Sequence, residues 1–222
     1  MKRLFLTIRL VSDATFGRGE GVAGVVDAEV QSDQYGLPYV GGKTVKGLLQ
    51  EECANILFAL RLQGRENPWL EPAHRLFGAP GSSAADQALL HVGTARLPVN
   101  LKKAVEAGVK RGEITPRQVL ESLTAVRCQT AINPRTGAAR DETLRTARVI
   151  VRDSIFESEL SFGEEPGERD LALLAGCVMA LRRGGSGRNR GRGKLAADLW
   201  DENGQEMTPG LFDLFRKEVS FE

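Results

Sequence analysis

Between an apolar helical stripe and an apolar strand near its C-terminus, the chain carries Leu181-Arg-Arg-Gly-Gly-Ser-Gly-Arg-Asn-Arg-Gly-Arg-Gly-Lys-Leu195. The thirteen residues from Arg182 to Lys194 hold six cations, five glycines and no acid, in a protein whose formal net charge is only +1. Glycine admits positive φ and close approach to the backbone, and guanidinium forks match phosphate oxygens two at a time. Such a segment is neither core nor helix interior. It is a loop suited to a polyanion, and the flanking helix and strand must meet at its ends.

The hydrophobic pattern supplies the other elements. Leu4 to Val11 alternates apolar residues with Thr7 and Arg9, as a half-buried strand does. Val45, Leu48, Leu49, Cys53, Ile56, Leu57 and Leu60 recur at helical spacing and predict a first helix over 43–62. Residues 63–90, punctuated by Gly, Pro, Ser and Ala, predict an irregular insertion around the short apolar pair Leu76-Phe77. A strand is expected over 91–97 and helices over 99–110 and 116–123, the second capped by Thr115 before Pro116. Strands follow at 125–132, 146–151 and 155–162. Leu171, Leu174, Ala175, Val178, Met179 and Leu181 mark the last long helix, ending in cations and glycine. A strand over 194–200 and a helix over 208–217 close the chain. This order predicts an α+β fold of ferredoxin-like (RRM-like) type, a βαββαβ antiparallel sheet in one domain over 1–222. The insertion at 63–90 and a β-hairpin thumb at 125–152 elaborate it.

With 222 residues, 41% of them hydrophobic, the chain can bury a substantial core. No apolar run approaches the roughly 18 residues that span a bilayer, and Arg9 interrupts the start too early for a signal peptide. The expectation is a cytoplasmic protein without a membrane partner. Cys53, Cys128 and Cys177 are odd in number and lack CxxC spacing, so neither a disulfide framework nor a zinc site is indicated. His74 and His91 have no partner spacing and read as structural.

Two nucleotide-binding fingerprints fail on context. Gly19-Glu-Gly-Val-Ala-Gly24 matches GxGxxG, but Val25 to Val30 continues as β-like sequence where a helix should open. In the late loop, Arg188 stands where a P-loop needs its first glycine and Leu195 where it needs Ser or Thr. Two other features do fit phosphate. Gly42, Lys43, Thr44 and Lys46 open a helix, whose free N–H groups and positive dipole end attract anions. Arg127, Arg135, Arg140, Arg145, Arg148 and Arg152 face only Asp141 and Glu142 within one stretch. Asn133 to Gly137 has turn chemistry, and Ile132, Ala138, Ala139 and Leu144 lie among the cations. Such a hairpin is either a solvated charged arm or a wedge that splays a base and holds the flanking phosphates.

Gly36-Leu-Pro-Tyr-Val-Gly-Gly-Lys-Thr-Val-Lys-Gly47 resembles the helix-entry signature of the RAMP superfamily, the repeat-associated proteins of CRISPR systems. Gly185 to Gly193 is similar to that superfamily's second hallmark, a glycine-rich loop between the last helix and last strand of an RRM-like fold. Arg75-Leu-Phe-Gly78 and Gln129-Thr-Ala-Ile-Asn-Pro134 look familiar from the same group. The chain departs from the pattern at Gly41, usually proline, and at Gln50, often arginine. The resemblance implies RNA contacts at the helix entry, at the basic hairpin, and at Gly185, Gly187, Arg188, Arg190 and Arg192.

Within it, Gly24-Val-Val-Asp-Ala-Glu-Val30 resembles a loop of the repeating backbone subunit of type III CRISPR effectors, in which one aspartate cuts target RNA. That implies an endoribonuclease with Asp27 as its catalytic residue and as ligand of Mg²⁺ or another divalent metal. Asp13 and Asp33 are less well placed. The implied partners are guide RNA, target RNA and other effector subunits, including copies of the chain itself or related RAMP proteins. Its basic and acidic segments are suited to head-to-tail contact. A non-catalytic scaffold of the same complex, a repeat-RNA processing endoribonuclease and an RNA-binding module outside CRISPR are the alternatives.

Overall fold

Alternation in β1 (Arg3–Leu10) turns Leu4, Leu6, Ile8 and Leu10 to one buried face. In the computed structural model, which describes residues 3–17, 26–78, 88–140 and 143–220, β1 lies between two antiparallel partners. These are β7 (Ile155–Phe162) and β8 (Leu195–Trp200). Register sends Phe156, Leu160 and Phe162 of β7, and Leu195, Ala197 and Leu199 of β8, to the same side. Two short strands, β2 (Tyr39–Val40) and β4 (Ala95–Arg96), extend the sheet in the order β2-β4-β7-β1-β8. A further one, β3 (Leu90–Val92), also pairs with β7. Strand β8 is therefore an edge.

The buried face is covered by α1 (Gly42–Arg61), through Val45, Leu49 and Cys53, and by α5 (Glu168–Ala180). Every α5 residue from Asp170 to Val178 is buried, because the helix lies among β8, α1, α2 (Asn67–Phe77) and α6 (Thr208–Val219). A helix apolar all round belongs inside a core. Its one buried acid, Asp170, accepts from the Gly167 N–H at 2.8 Å and pairs with Arg75 at 3.3 Å. Trp69 of α2 packs on Phe215 of α6 with ring centroids 4.7 Å apart. On the opposite side of the sheet, Glu157 and Glu159 stand exposed and Phe5 and Thr7 half-exposed.

Two helices, α3 (Val99–Lys110) and α4 (Pro116–Leu123), lead into the hairpin strands β5 (Thr124–Gln129) and β6 (Arg145–Ile150). These two strands pair antiparallel and form a separate two-stranded sheet. The molecule is thus a mixed α+β structure with antiparallel sheets. None of the described helices is long and apolar enough to cross a membrane.

Two sequence expectations are corrected. Residues 63–90 are not irregular throughout: Asn67–Phe77 is helical and buries Trp69, Ala73, Leu76 and Phe77. Pro68 falls in its first turn, where no N–H partner is needed, and Pro72 removes one helical bond. The strand expected over 91–97 is divided into β3 and β4 at Gly93, whose N–H still donates to Glu159 O at 2.8 Å. The GxGxxG match at 19–24 lies outside the described residues.

Candidate nucleic-acid interface

The glycine-rich loop is closed at its base like a small hairpin. Leu195 N–H donates to Arg182 O at 3.0 Å and Gly184 N–H to Gly193 O at 2.9 Å. Gly185, Gly187, Gly191 and Gly193 all take positive φ, between 69° and 84°. At Gly185 the requirement is double, since a Cβ there would also press on the Thr15 carbonyl. The tip is a single tight turn, Arg188–Arg190.

Two other segments converge on this loop. Ser186 N–H donates to Thr15 O at 2.8 Å, and Ala14 pairs with Ile150 of β6. The Asp27 N–H donates to Thr146 O at 2.9 Å, and Ala28 forms a parallel bridge with Ala147. The hairpin root is thereby tied to both segments. Below it lies a buried polar cluster in which the Glu29 carboxylate meets the Arg148 guanidinium at 2.9 Å. Arg148 also donates to Thr124 Oγ1 at 3.2 Å, and its carbonyl accepts from Thr15 Oγ1 at 2.9 Å. With side chains only 13% and 9% exposed, Arg148 and Glu29 are paired away from solvent. Removing one partner leaves the other charge buried alone. Glu29→Ala should therefore lower the free energy of unfolding by about 3 kcal/mol in chemical denaturation. A loss under about 1 kcal/mol would mean that water already solvates the pair.

Asp27, Gln129, Arg145, Thr146 and the loop residues Gly185 to Arg190, with Arg192, line one open cleft of about 600 Å³. A second cleft of about 790 Å³ under the hairpin shares Gln129, Arg145 and Arg190 with it, so the two run together. Ile132 and Leu144, 68% and 62% exposed, stand on the hairpin beyond Gln129 and before Arg145. Asp27 is exposed, and its Oδ2 accepts from the Thr146 N–H at 2.6 Å and the Thr146 hydroxyl at 3.2 Å. Its Oδ1 has no partner among the described residues.

The arginines differ in what they have left to offer. Arg188 is held by Glu51 of α1 through two bonds of 2.8 and 2.7 Å. The Arg188 hydrogen bond in turn keeps the Glu51 carboxyl below its ordinary pKa. Arg127 is held by Asp13 at 2.7 Å. Arg145, Arg190 and Arg192 have no acidic partner among the described residues, and neither do Arg135 and Arg140 on the exposed hairpin tip. The cleft wall is thus cationic around one carboxylate. Among the described residues no group of three or more His, Cys, Asp or Glu is arranged to hold a metal. Asp27 alone does not make a cation cage.

The helix entry is not part of the cleft. A Cβ on Gly42 would collide with the Val92 carbonyl, so the first turn of α1 is pressed onto the β3–β4 connection. The Lys46 ammonium donates to Leu90 O at 2.8 Å, and burial lowers its pKa. Lys43 and Thr44 are exposed at that end, and Gly41 caps the helix without a side-chain bond. Helix α1 reaches the loop one turn later, through Leu48 beneath Gly184 and through Glu51. Asp33 is occupied in its own turn, accepting from the Tyr35 and Leu37 N–H groups. Sequence reasoning had not singled out Thr146, Glu51 or Asn189. Thr146 lies 119 positions from Asp27, and no local pattern pairs them.

The sequence model of one protein family, described as the RAMP superfamily, matches residues 7–196. No protein of curated function matches the sequence. Among solved structures, a chain of "Cryo-EM structure of the Type III-B Cmr-beta bound to cognate target RNA" superposes with a TM-score of 0.63. The two are 12% identical, over 96% of this chain and 99% of that one. A chain from "Type III-B Cmr-beta Cryo-EM structure of the Apo state" gives a TM-score of 0.61 at 13% identity, over 89% of this chain and 97% of that one.

Proposed function

The chain belongs to the RAMP superfamily, and from that premise we propose that it is a guide-RNA-binding backbone subunit of a type III CRISPR effector complex. The observation that carries the reading is the convergence of Arg145, Arg190 and Arg192, free of acidic partners among the described residues, on one cleft with Asp27. Three unneutralised guanidiniums, two on the glycine-rich loop and one at the start of β6, suit neighbouring phosphates of a single strand. The fold likeness to chains from two Cmr-beta structures, one of them of the complex bound to cognate target RNA, supports it. So does the strand order β8-β1-β7-β3, which is that of a ferredoxin-like βαββαβ sheet with α1 and α5 as its crossovers. The β5–β6 hairpin acts as a thumb on this single domain.

In the sharper form of the reading the subunit cuts target RNA paired to the guide. The thumb, with Ile132 and Leu144, opens the stack at one step and bends the backbone there. Asp27 Oδ1 accepts the proton of the exposed 2′-OH while Thr146 holds Oδ2. The 2′-oxygen then attacks the adjacent phosphorus in line, the 5′-oxygen leaves and takes a proton from water, and a 2′,3′-cyclic phosphate results. Alternatively, that same oxygen is the one the chain offers a divalent cation, whose other ligands would be RNA phosphates and water; base and metal ligand are exclusive roles for it. A non-catalytic scaffold remains the second reading, favoured by the lack of a multidentate acidic cluster among the described residues. Repeat-RNA processing by histidine is disfavoured, since His74 and His91 line neither cleft.

The test is the RNA that copurifies with the chain from its native cell. Species of uniform length sharing a constant repeat-derived tag are expected. Heterogeneous RNA without a common tag would place the chain outside guide binding.

A further inference from the structure

The tip of the glycine-rich loop is tied to the body at a single point. Ser186 N–H donates to Thr15 O and Gly193 N–H to Asp13 O, both at 2.8 Å, and these bonds fix the two ends. Between them, residues 187–192 bond within their own turn, Arg190 N–H to Gly187 O at 2.8 Å, and through the Arg188 guanidinium to Glu51 of α1. Among the described residues that ion pair is the sole polar tie from the tip to the rest of the molecule. Gly187 and Gly191 flank the turn that it holds, and glycine leaves a backbone free to swing when nothing restrains it. Arg190 and Arg192 ride on the same segment.

Glu51 itself stands on firm ground. Leu49 before it and Cys53 after it are buried in the core, and Leu48, one turn earlier, lies beneath Gly184. The carboxylate takes the guanidinium end-on: Nη1 donates to Oε2 at 2.8 Å and Nη2 to Oε1 at 2.7 Å. A guanidinium carries five N–H groups, so three remain, and the Nε edge is a second fork of the kind that matches two phosphate oxygens. That edge has no partner among the described residues. Arg188 lines the cleft and Glu51 does not, so the acid holds the cation from behind.

We propose that Glu51 is a positioning residue for RNA: it holds Arg188, and with it the loop tip, in the arrangement that receives phosphates. This deepens, and rests on, the reading of the cleft as the seat of an RNA strand. Two effects of the acid oppose each other. Its negative charge repels phosphate, but Arg188 already neutralises it, and with side chains 37% and 46% exposed the remainder is screened by water and salt. Without the acid, a loop tip and a rotamer-rich arginine must be ordered at every binding event, and association bears that cost. Preorganisation outweighs the screened repulsion. Removing an acid beside the cleft therefore weakens binding to a polyanion, the reverse of what counting charges gives.

Fluorescence anisotropy of a labelled oligouridylate with the full chain tests this through a double-mutant cycle. Glu51→Ala is expected to weaken binding about fivefold, the usual weight of ordering one rotamer-rich side chain on association. Arg188→Ala should weaken it at least as much, and adding Glu51→Ala to Arg188→Ala should change nothing further. Glu51→Gln keeps one acceptor for the guanidinium and should recover part of the loss. Glu51→Ala binding as tightly as the unaltered chain, or more tightly, would make the acid a repulsive bystander and overturn the proposal. An equal loss in the Arg188→Ala background would overturn it too, since Glu51 would then act through the fold and not through Arg188. Replacing Arg145, Arg190 and Arg192 tests the RNA reading apart: if that variant loses affinity and Glu51→Ala does not, the positioning role alone fails.

Discussion

In the assembled complex, Asp27→Ala should reduce cleavage of guide-paired target RNA by about a hundredfold or more, the usual contribution of a positioned acid or base. Guide and target affinity should change by less than about twofold, because a carboxylate acting in the transition state adds little to ground-state binding. Asp27 also ties its loop to Thr146, so a loss with Ala alone leaves a structural cause open. Asp27→Asn separates the two. The amide oxygen still accepts from the Thr146 N–H, while the negative charge and the basic oxygen are gone. Product ends and rates are read on a denaturing gel. An Asn variant that cuts like the unaltered complex would exclude the carboxylate, and a wild-type complex that leaves matched target whole would leave only the scaffold.

Much of the fold was legible because its signals are local. The alternation in β1, β7 and β8 and the apolar α5 running into a glycine-rich loop required no knowledge of distant residues. Helix α2 was missed because Pro68 and Pro72 read as breakers, whereas one sits where a helix tolerates proline and the other is compensated by the burial of Trp69 and Leu76.

The candidate site was legible only in part, for a physical reason: a sequence gives the number of cations but not which of them an acid already holds. The glycine-rich loop and Arg145 do meet at a cleft with Asp27. Arg148 came from the same basic run, yet it is turned inward to Glu29, and Arg188 is shared with Glu51. Lys46 and Gly42 matched a phosphate-binding pattern, but Lys46 donates to the Leu90 carbonyl and Gly42 lies against Val92, while Lys43 and Thr44 of the same turn stay exposed. Each of these pairings joins residues at least 44 positions apart.

The measurement closest to the central claim is the salt dependence of single-stranded RNA binding. If Arg145, Arg190 and Arg192 each contact one phosphate, replacing all three by Ala removes about 0.7 per contact from the slope of log K against log salt. The triple variant should bind more weakly with a slope shallower by about 2, while Lys46→Ala, already bonded to the Leu90 carbonyl, should leave it unchanged. Fluorescence anisotropy over a range of salt concentrations reads both. A triple variant with the slope of the unaltered chain would mean that RNA lies elsewhere, and that the cationic cleft is not its seat.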